Sequence, residues 1–130
     1  MLKSVLVIVA LSLVPGLDAV AQECVHGPGE TLANRTRREQ AVDFAHRLNR
    51  LEADAVRLNP RGQYQRPSTL KLPPVPADFE LTFHTNGRIY AFSLKDALDP
   101  CNYAVWSDHD GLVWAGTPQP DEPLIVPIAK

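Results

Sequence analysis

Phe79-Glu80-Leu81-Thr82-Phe83-His84, then Asn86-Gly87, then Ile89-Tyr90-Ala91-Phe92-Ser93-Leu94: two alternating runs about an Asn-Gly pair predict an antiparallel hairpin. Asn-Gly suits a two-residue type I′ turn, because both central positions need positive φ. A loop confined to residues 86–87 pairs Phe83 with Tyr90, Leu81 with Phe92 and Phe79 with Leu94 on one face. His84 with Ile89, Thr82 with Ala91 and Glu80 with Ser93 fall on the other. A slip of one residue would mix the two sets, so the alternation specifies which residues face the core.

Downstream, a second hairpin runs from Cys101 to Asp108, turns at His109-Asp110-Gly111 and returns through Leu112-Val113-Trp114-Ala115. Two registers are open. An even-length loop groups Tyr103, Val105, Leu112 and Trp114 on one face. An odd-length loop with Gly111 at a bulge sets Trp106 beside Trp114. The even loop is favoured, because it faces Cys101 inward and leaves Trp106 on the outer face. Beyond Gly116, four prolines between Pro118 and Pro127 surround Leu124-Ile125-Val126, which allows an edge strand at best.

Upstream, Thr31 to Asn59 reads as a helix. Ala41, Phe44, Ala45, Leu48, Leu51, Ala55 and Leu58 recur at spacings of three and four, forming one apolar stripe. Asp43, Glu52 and Asp54 read as solvated, and Asp43–Arg47 as an i,i+4 ion pair. Thr31 or Asn34 serves as N-cap. Pro60 ends the helix, since it lacks an amide proton and keeps Asn59 out of the α region. Residues 60–78 form a proline-rich connector, with Leu70, Leu72 and Val75 among its prolines; it is too apolar for a solvated linker, so its leucines are expected to contribute to the core. One amphipathic helix and about four antiparallel strands in two hairpins predict an α+β sandwich of two layers.

The N-terminus sets the compartment. Met1-Leu2-Lys3, the apolar run from Val5 to Val14, Pro15-Gly16 and Ala19-Val20-Ala21 have the three-part layout of a secretory signal peptide. The run is half the roughly 20 residues a membrane span needs. Glu23 before Cys24 does not suit a lipoprotein acceptor. Residues 1–21 are therefore read as signal peptide and 22–130 as a single α+β domain with a proline-rich tail at 119–130. An extracytoplasmic location, periplasmic or secreted, follows, with membrane contact only through an uncleaved leader.

Outside the cytoplasm, a count of two cysteines favours one bridge, Cys24–Cys101. Closing so long a loop stabilises a fold by about 4 kcal/mol. A zinc site lacks the C-x-x-C spacing.

The net charge is −2 with both signs interspersed, which gives no basic surplus for nucleic acid. No catalytic, cofactor or metal residue set emerges. The four histidines, His26, His46, His84 and His109, share no i,i+4 helical spacing. Ser68, Ser93 and Ser107 sit in no nucleophile elbow. Asp108-His109-Asp110-Gly111 resembles a fragment of a calcium loop, to which Asp99 would add an oxygen; turn chemistry accounts for the same residues. Arg35, Arg37 and Arg38 cluster near the helix start, and with Trp106 they make the expected contact surface.

The order of elements resembles a known family. A charged helix (Arg37-Arg38-Glu39-Gln40-Ala41 through Leu58), a loop opening Asn59-Pro60-Arg61-Gly62-Gln63-Tyr64 and then antiparallel hairpins is similar to the globular heads of type IV pilins and type II secretion pseudopilins. The similarity spans about residues 35–116 and rests on element order and the Gly-Gln-Tyr loop. It implies a pilin-like fold. The family's leader junction is replaced here by Ala19-Val20-Ala21, so filament assembly is not implied. The expected role is an exported, non-enzymatic binding or structural module with another extracytoplasmic protein as partner. A small secreted enzyme or enzyme inhibitor, the latter presenting Pro73-Pro74-Val75-Pro76, is the competing class.

Overall fold

The computed structural model describes residues 24–118. The leader reading, the tail at 119–130 and the strand expected at Leu124–Val126 lie outside the described residues. One helix, α1 (Leu32–Leu58), packs on a four-stranded antiparallel sheet of β1 (Phe79–Thr85), β2 (Tyr90–Asp96), β3 (Ala104–Asp108) and β4 (Val113–Gly116). The strands lie in chain order, β1-β2-β3-β4. The fold is the expected α+β arrangement. No described helix is long and apolar enough to cross a membrane.

Thr31 caps α1: its hydroxyl oxygen accepts the Asn34 N–H at 3.2 Å, satisfying one of the first-turn donors. At the far end the Asn59 N–H bonds Ala55 O at 2.8 Å, and Pro60 stops propagation. Ala41, Phe44, Ala45 and Leu48 are buried as expected, against Tyr90, Phe92, Leu94 and Val105. Burial of each large apolar side chain contributes roughly 1.5–3 kcal/mol. Below Leu48 the stripe departs from the expectation. Leu58 is 75% exposed, and the buried helix residue there is Glu52. The Asp43–Arg47 pair does not form; Asp54–Arg57 does, at 2.9 Å.

The first hairpin keeps its faces but not its register. Phe83 pairs with Phe92, Leu81 with Leu94 and Phe79 with Asp96, two residues from the expected partners. Side chains in the turn cause the shift. Thr85 Oγ1 donates to Ile89 O and accepts the Gly87 N–H, while Asn86 Oδ1 accepts the Arg88 and Ile89 N–H groups. These bonds stabilise a four-residue loop with Gly87 at φ 86°. Because a strand's side chains alternate with period two, an even shift leaves every residue on its face.

In the second hairpin the odd register is found: Trp106 pairs with Trp114. Gly111 takes φ 76°, its N–H bonds Asp108 O at 2.9 Å, and Asp108 Oδ1 accepts the Asp110 N–H at 2.9 Å. A left-handed glycine closing a three-residue loop is the bulged alternative. It places both tryptophans on the outer face.

Cys24 and Cys101 form the expected disulfide, with Cα atoms 5.5 Å apart and a sequence separation of 77. Around it, Asp99 Oδ1 accepts the Val25 N–H at 2.9 Å and Oδ2 the Tyr103 N–H at 2.7 Å. Val25 and Tyr103 are fully buried beside the bond.

Candidate functional site

Among the described residues the order of the sheet makes β1 an edge strand, and the ladder fixes where its peptide groups point. His109 N–H donates to Tyr90 O at 3.0 Å, and Asp96 N–H to Tyr103 O at 2.9 Å. Each strand residue sends its N–H and C=O to the same side. Tyr90, Phe92, Leu94 and Asp96 therefore bond to β3, and Ala91, Ser93 and Lys95 bond to β1. Their partners are His84, Thr82 and Glu80. Leu81, Phe83 and Thr85 aim their peptide groups out of the sheet, and no hydrogen bond among the described residues takes them. At the strand's start, the Phe79 N–H instead reaches Pro76 O at 3.2 Å.

Beside this edge lies a hollow of about 600 Å³, lined by Arg66, Pro67, Ser68, Leu81, Phe83, His84 and Thr85. It wraps the strand, drawing Leu81 and Phe83 from the core face and His84 from the outer face. The opposite wall is a 3-10 turn, Pro67–Thr69, closed by Leu70 N–H to Pro67 O and by Thr69 Oγ1 to Arg66 O. Two anchors hold that wall. Tyr64 N–H bonds Gly87 O at 2.8 Å and its ring meets Tyr90 edge-on at 4.8 Å. Next to it, the Gln65 N–H donates to Glu52 Oε2 at 2.9 Å.

Glu52 is therefore a docking post for the connector, not the solvated residue its charge implies. Burial raises its pKa above the ordinary glutamate value, against the opposing pull of the Gln65 N–H. Its Oε1 is buried without a partner among the described residues. The overlooked signal is angular: Glu52 lies four residues after Leu48, on the line of Ala41, Phe44 and Leu48.

The expected contact residues have other surroundings. Arg37 turns inward, donating through Nη2 to Asp96 Oδ1 at 2.6 Å and lying 5.7 Å over the Phe79 ring. Asp96 Oδ1 also accepts the Leu98 and Asp99 N–H groups. Arg38 grips Glu30 through two bonds of 2.8 and 3.2 Å. The Arg38 hydrogen bond outweighs burial and holds the Glu30 carboxyl down to about 2. Arg35 approaches the same carboxylate at 3.8 Å and stays more than half exposed. Glu30 and Asp96 thus offset the positive charge that the helix start would otherwise repel. Trp106 is half-buried on the outer face beside the more exposed Trp114.

The remaining candidates stay dispersed. His26 packs near Tyr103, His46 is on α1, His84 on β1 and His109 in the β3–β4 turn. Asp108, His109 and Asp110 bring three potential ligand atoms within 4.8 Å of one another, all from one exposed turn. Asp99 stands beyond the opposite end of β3, held by its two backbone donors, and does not join them. Pro73-Pro74-Val75-Pro76 lines a shallow cleft of about 370 Å³ against Gln40, Asp43, Phe44 and Arg47. Comparison with family models, curated proteins and solved structures finds no match to this chain.

Proposed function

We propose that this chain is a small extracytoplasmic binding module, non-enzymatic, that takes up an extended polypeptide as a fifth strand beside β1. The supporting observation is the row of outward peptide groups at Leu81, Phe83 and Thr85 next to a walled hollow. Strand addition draws its affinity from such groups and its selectivity from alternate side-chain pockets. Natural sheets blunt a free edge with lysine, proline, bulges or shortness. β1 has seven residues, no lysine, no proline and an unbroken pairing with β2. The opposite edge, β4, is only four residues long.

The leader and the Cys24–Cys101 bridge support placement outside the cytoplasm, where such bonds persist. The pilin-like order of elements bears on fold and ancestry.

The test is Leu81→Pro. The Leu81 N–H points away from β2, so proline there spares the ladder while deleting an outward donor and crowding an incoming strand. Binding of a fluorescein-labelled, capped nonapeptide of alternating threonine and valine should be lost while the far-ultraviolet circular dichroism spectrum stays native, with a lower melting temperature because Leu81 packs against the core. Undiminished binding by a folded Leu81→Pro variant would place the site elsewhere.

A further inference from the structure

Resting on the strand-addition reading, we infer that the hollow selects an extended segment carrying a glutamate side chain opposite Phe83, with Arg66 taking its carboxylate. A residue added opposite Phe83 projects to the same face as Phe83, because paired residues share a face. That face is the one walled by Leu81 and Pro67, both half-buried. Its rim is polar: Ser68 and Arg66 are exposed there, and no acidic side chain lines the hollow. Arg37 and Arg38 are held by Asp96 and Glu30, whereas Arg66 makes no ion pair among the described residues.

The visiting side chain therefore needs an apolar stem and an anionic head. Glutamate supplies both: its two methylenes lie against the Leu81, Phe83 and Pro67 surfaces, and its carboxylate meets the guanidinium fork. Aspartate has one methylene fewer and falls short of the rim. Glutamine keeps the shape and loses the charge. Neighbouring residues of the added strand turn to the outer face, where Thr82 and His84 stand. That side is polar and imposes a weaker choice.

Neither Glu80 nor Glu52 pairs with Arg66. Glu80 belongs to the outer face of β1, and the Glu52 carboxylate is buried behind Gln65 with its Oε2 on the Gln65 N–H.

Three capped, fluorescein-labelled nonapeptides of alternating threonine and valine, with glutamate, glutamine or lysine at the centre, test this by anisotropy on the full chain. The glutamate peptide should bind roughly fivefold tighter than the glutamine one, the range of a half-exposed charged pair, with lysine weakest. Arg66→Gln should erase the glutamate preference, bringing the glutamate and glutamine peptides to equal affinity for the variant. Equal affinity for all three peptides, still abolished by Leu81→Pro, would overturn the glutamate selection and leave strand addition standing. Failure of every peptide to bind overturns both. So does a dimer that Leu81→Pro dissolves and no peptide displaces, since the edge would then pair with a second copy.

Discussion

Replacing both Cys24 and Cys101 by serine removes a constraint on the unfolded chain and leaves most native contacts in place. The bridge closes a loop of 77 residues. Loop-closure entropy for that length corresponds to about 4.5 kcal/mol at 25 °C, an upper figure because unfolded chains keep residual structure. For a domain whose total stability lies at about 5–15 kcal/mol, the loss is large. The native fold has local support at the same place: Asp99 still accepts the Val25 and Tyr103 N–H groups, and Val25 stays in the core. Urea unfolding followed by far-ultraviolet circular dichroism measures the change. With a slope near 1.5 kcal/mol/M, the midpoint should fall by about 3 M, and the slope should rise as the unfolded chain expands. A native spectrum with a loss below about 1 kcal/mol would refute the entropic account. It would mean that the unfolded chain already holds residues 24 and 101 together.

Other outcomes follow from the buried charges and phenols. Glu52→Gln should stabilise the chain at pH 7 and change it little at pH 4. Burial raises the Glu52 pKa in the fold, so stability from this site is full below the unfolded value and declines as pH climbs through the folded one. Paired thermal melts at the two pH values read the difference. Arg37→Met keeps the stem over Phe79 but strands the Asp96 carboxylate, which is 1% exposed; denaturation should show a loss of about 3 kcal/mol. A loss under about 1 kcal/mol would show that the Leu98 and Asp99 N–H groups suffice. Burial pushes the Tyr103 phenol up to about 12 and the Tyr90 phenol higher still. Both ionise more readily unfolded, so stability should fall as pH passes about 10. Absorbance at 295 nm should show these two phenols titrating late in the folded chain and near pH 10 in urea.

Much of this fold was legible because alternation and helical spacing are decided residue by residue. Phe79, Leu81 and Phe83 opposite Phe92 and Leu94 announce a half-buried hairpin, and an even-length turn of two or four residues leaves them on the same face. Turn length was not legible from Asn86-Gly87 alone. Thr85 and Asn86 bond four backbone groups of the loop between them, and such local competition overrides the two-residue preference of Asn-Gly. The second hairpin turned on the same kind of detail, the Asp108 side chain and the left-handed Gly111. Glu52 escaped because a charge suggests water, whereas its position on the Ala41–Leu48 line says core. The candidate site lay deeper still. Nothing in residues 79–85 states that they form an edge; that emerges only when β3 takes the other side of β2. The absence of lysine and proline, the residues natural edges use as protection, makes the stretch read as an interior strand from sequence alone.

The bridge also has a direction in time. A chain leaving a ribosome or a membrane channel presents Cys24 77 residues ahead of Cys101, with α1, β1 and β2 between them. Until Cys101 emerges the first thiol has no partner within its own chain. Cys24–Cys101 can close only when the helix and the first hairpin have already emerged, so oxidation acts as a completion mark for the molecule. A chain stalled before β3 remains chemically distinguishable from a finished one by a single accessible thiol.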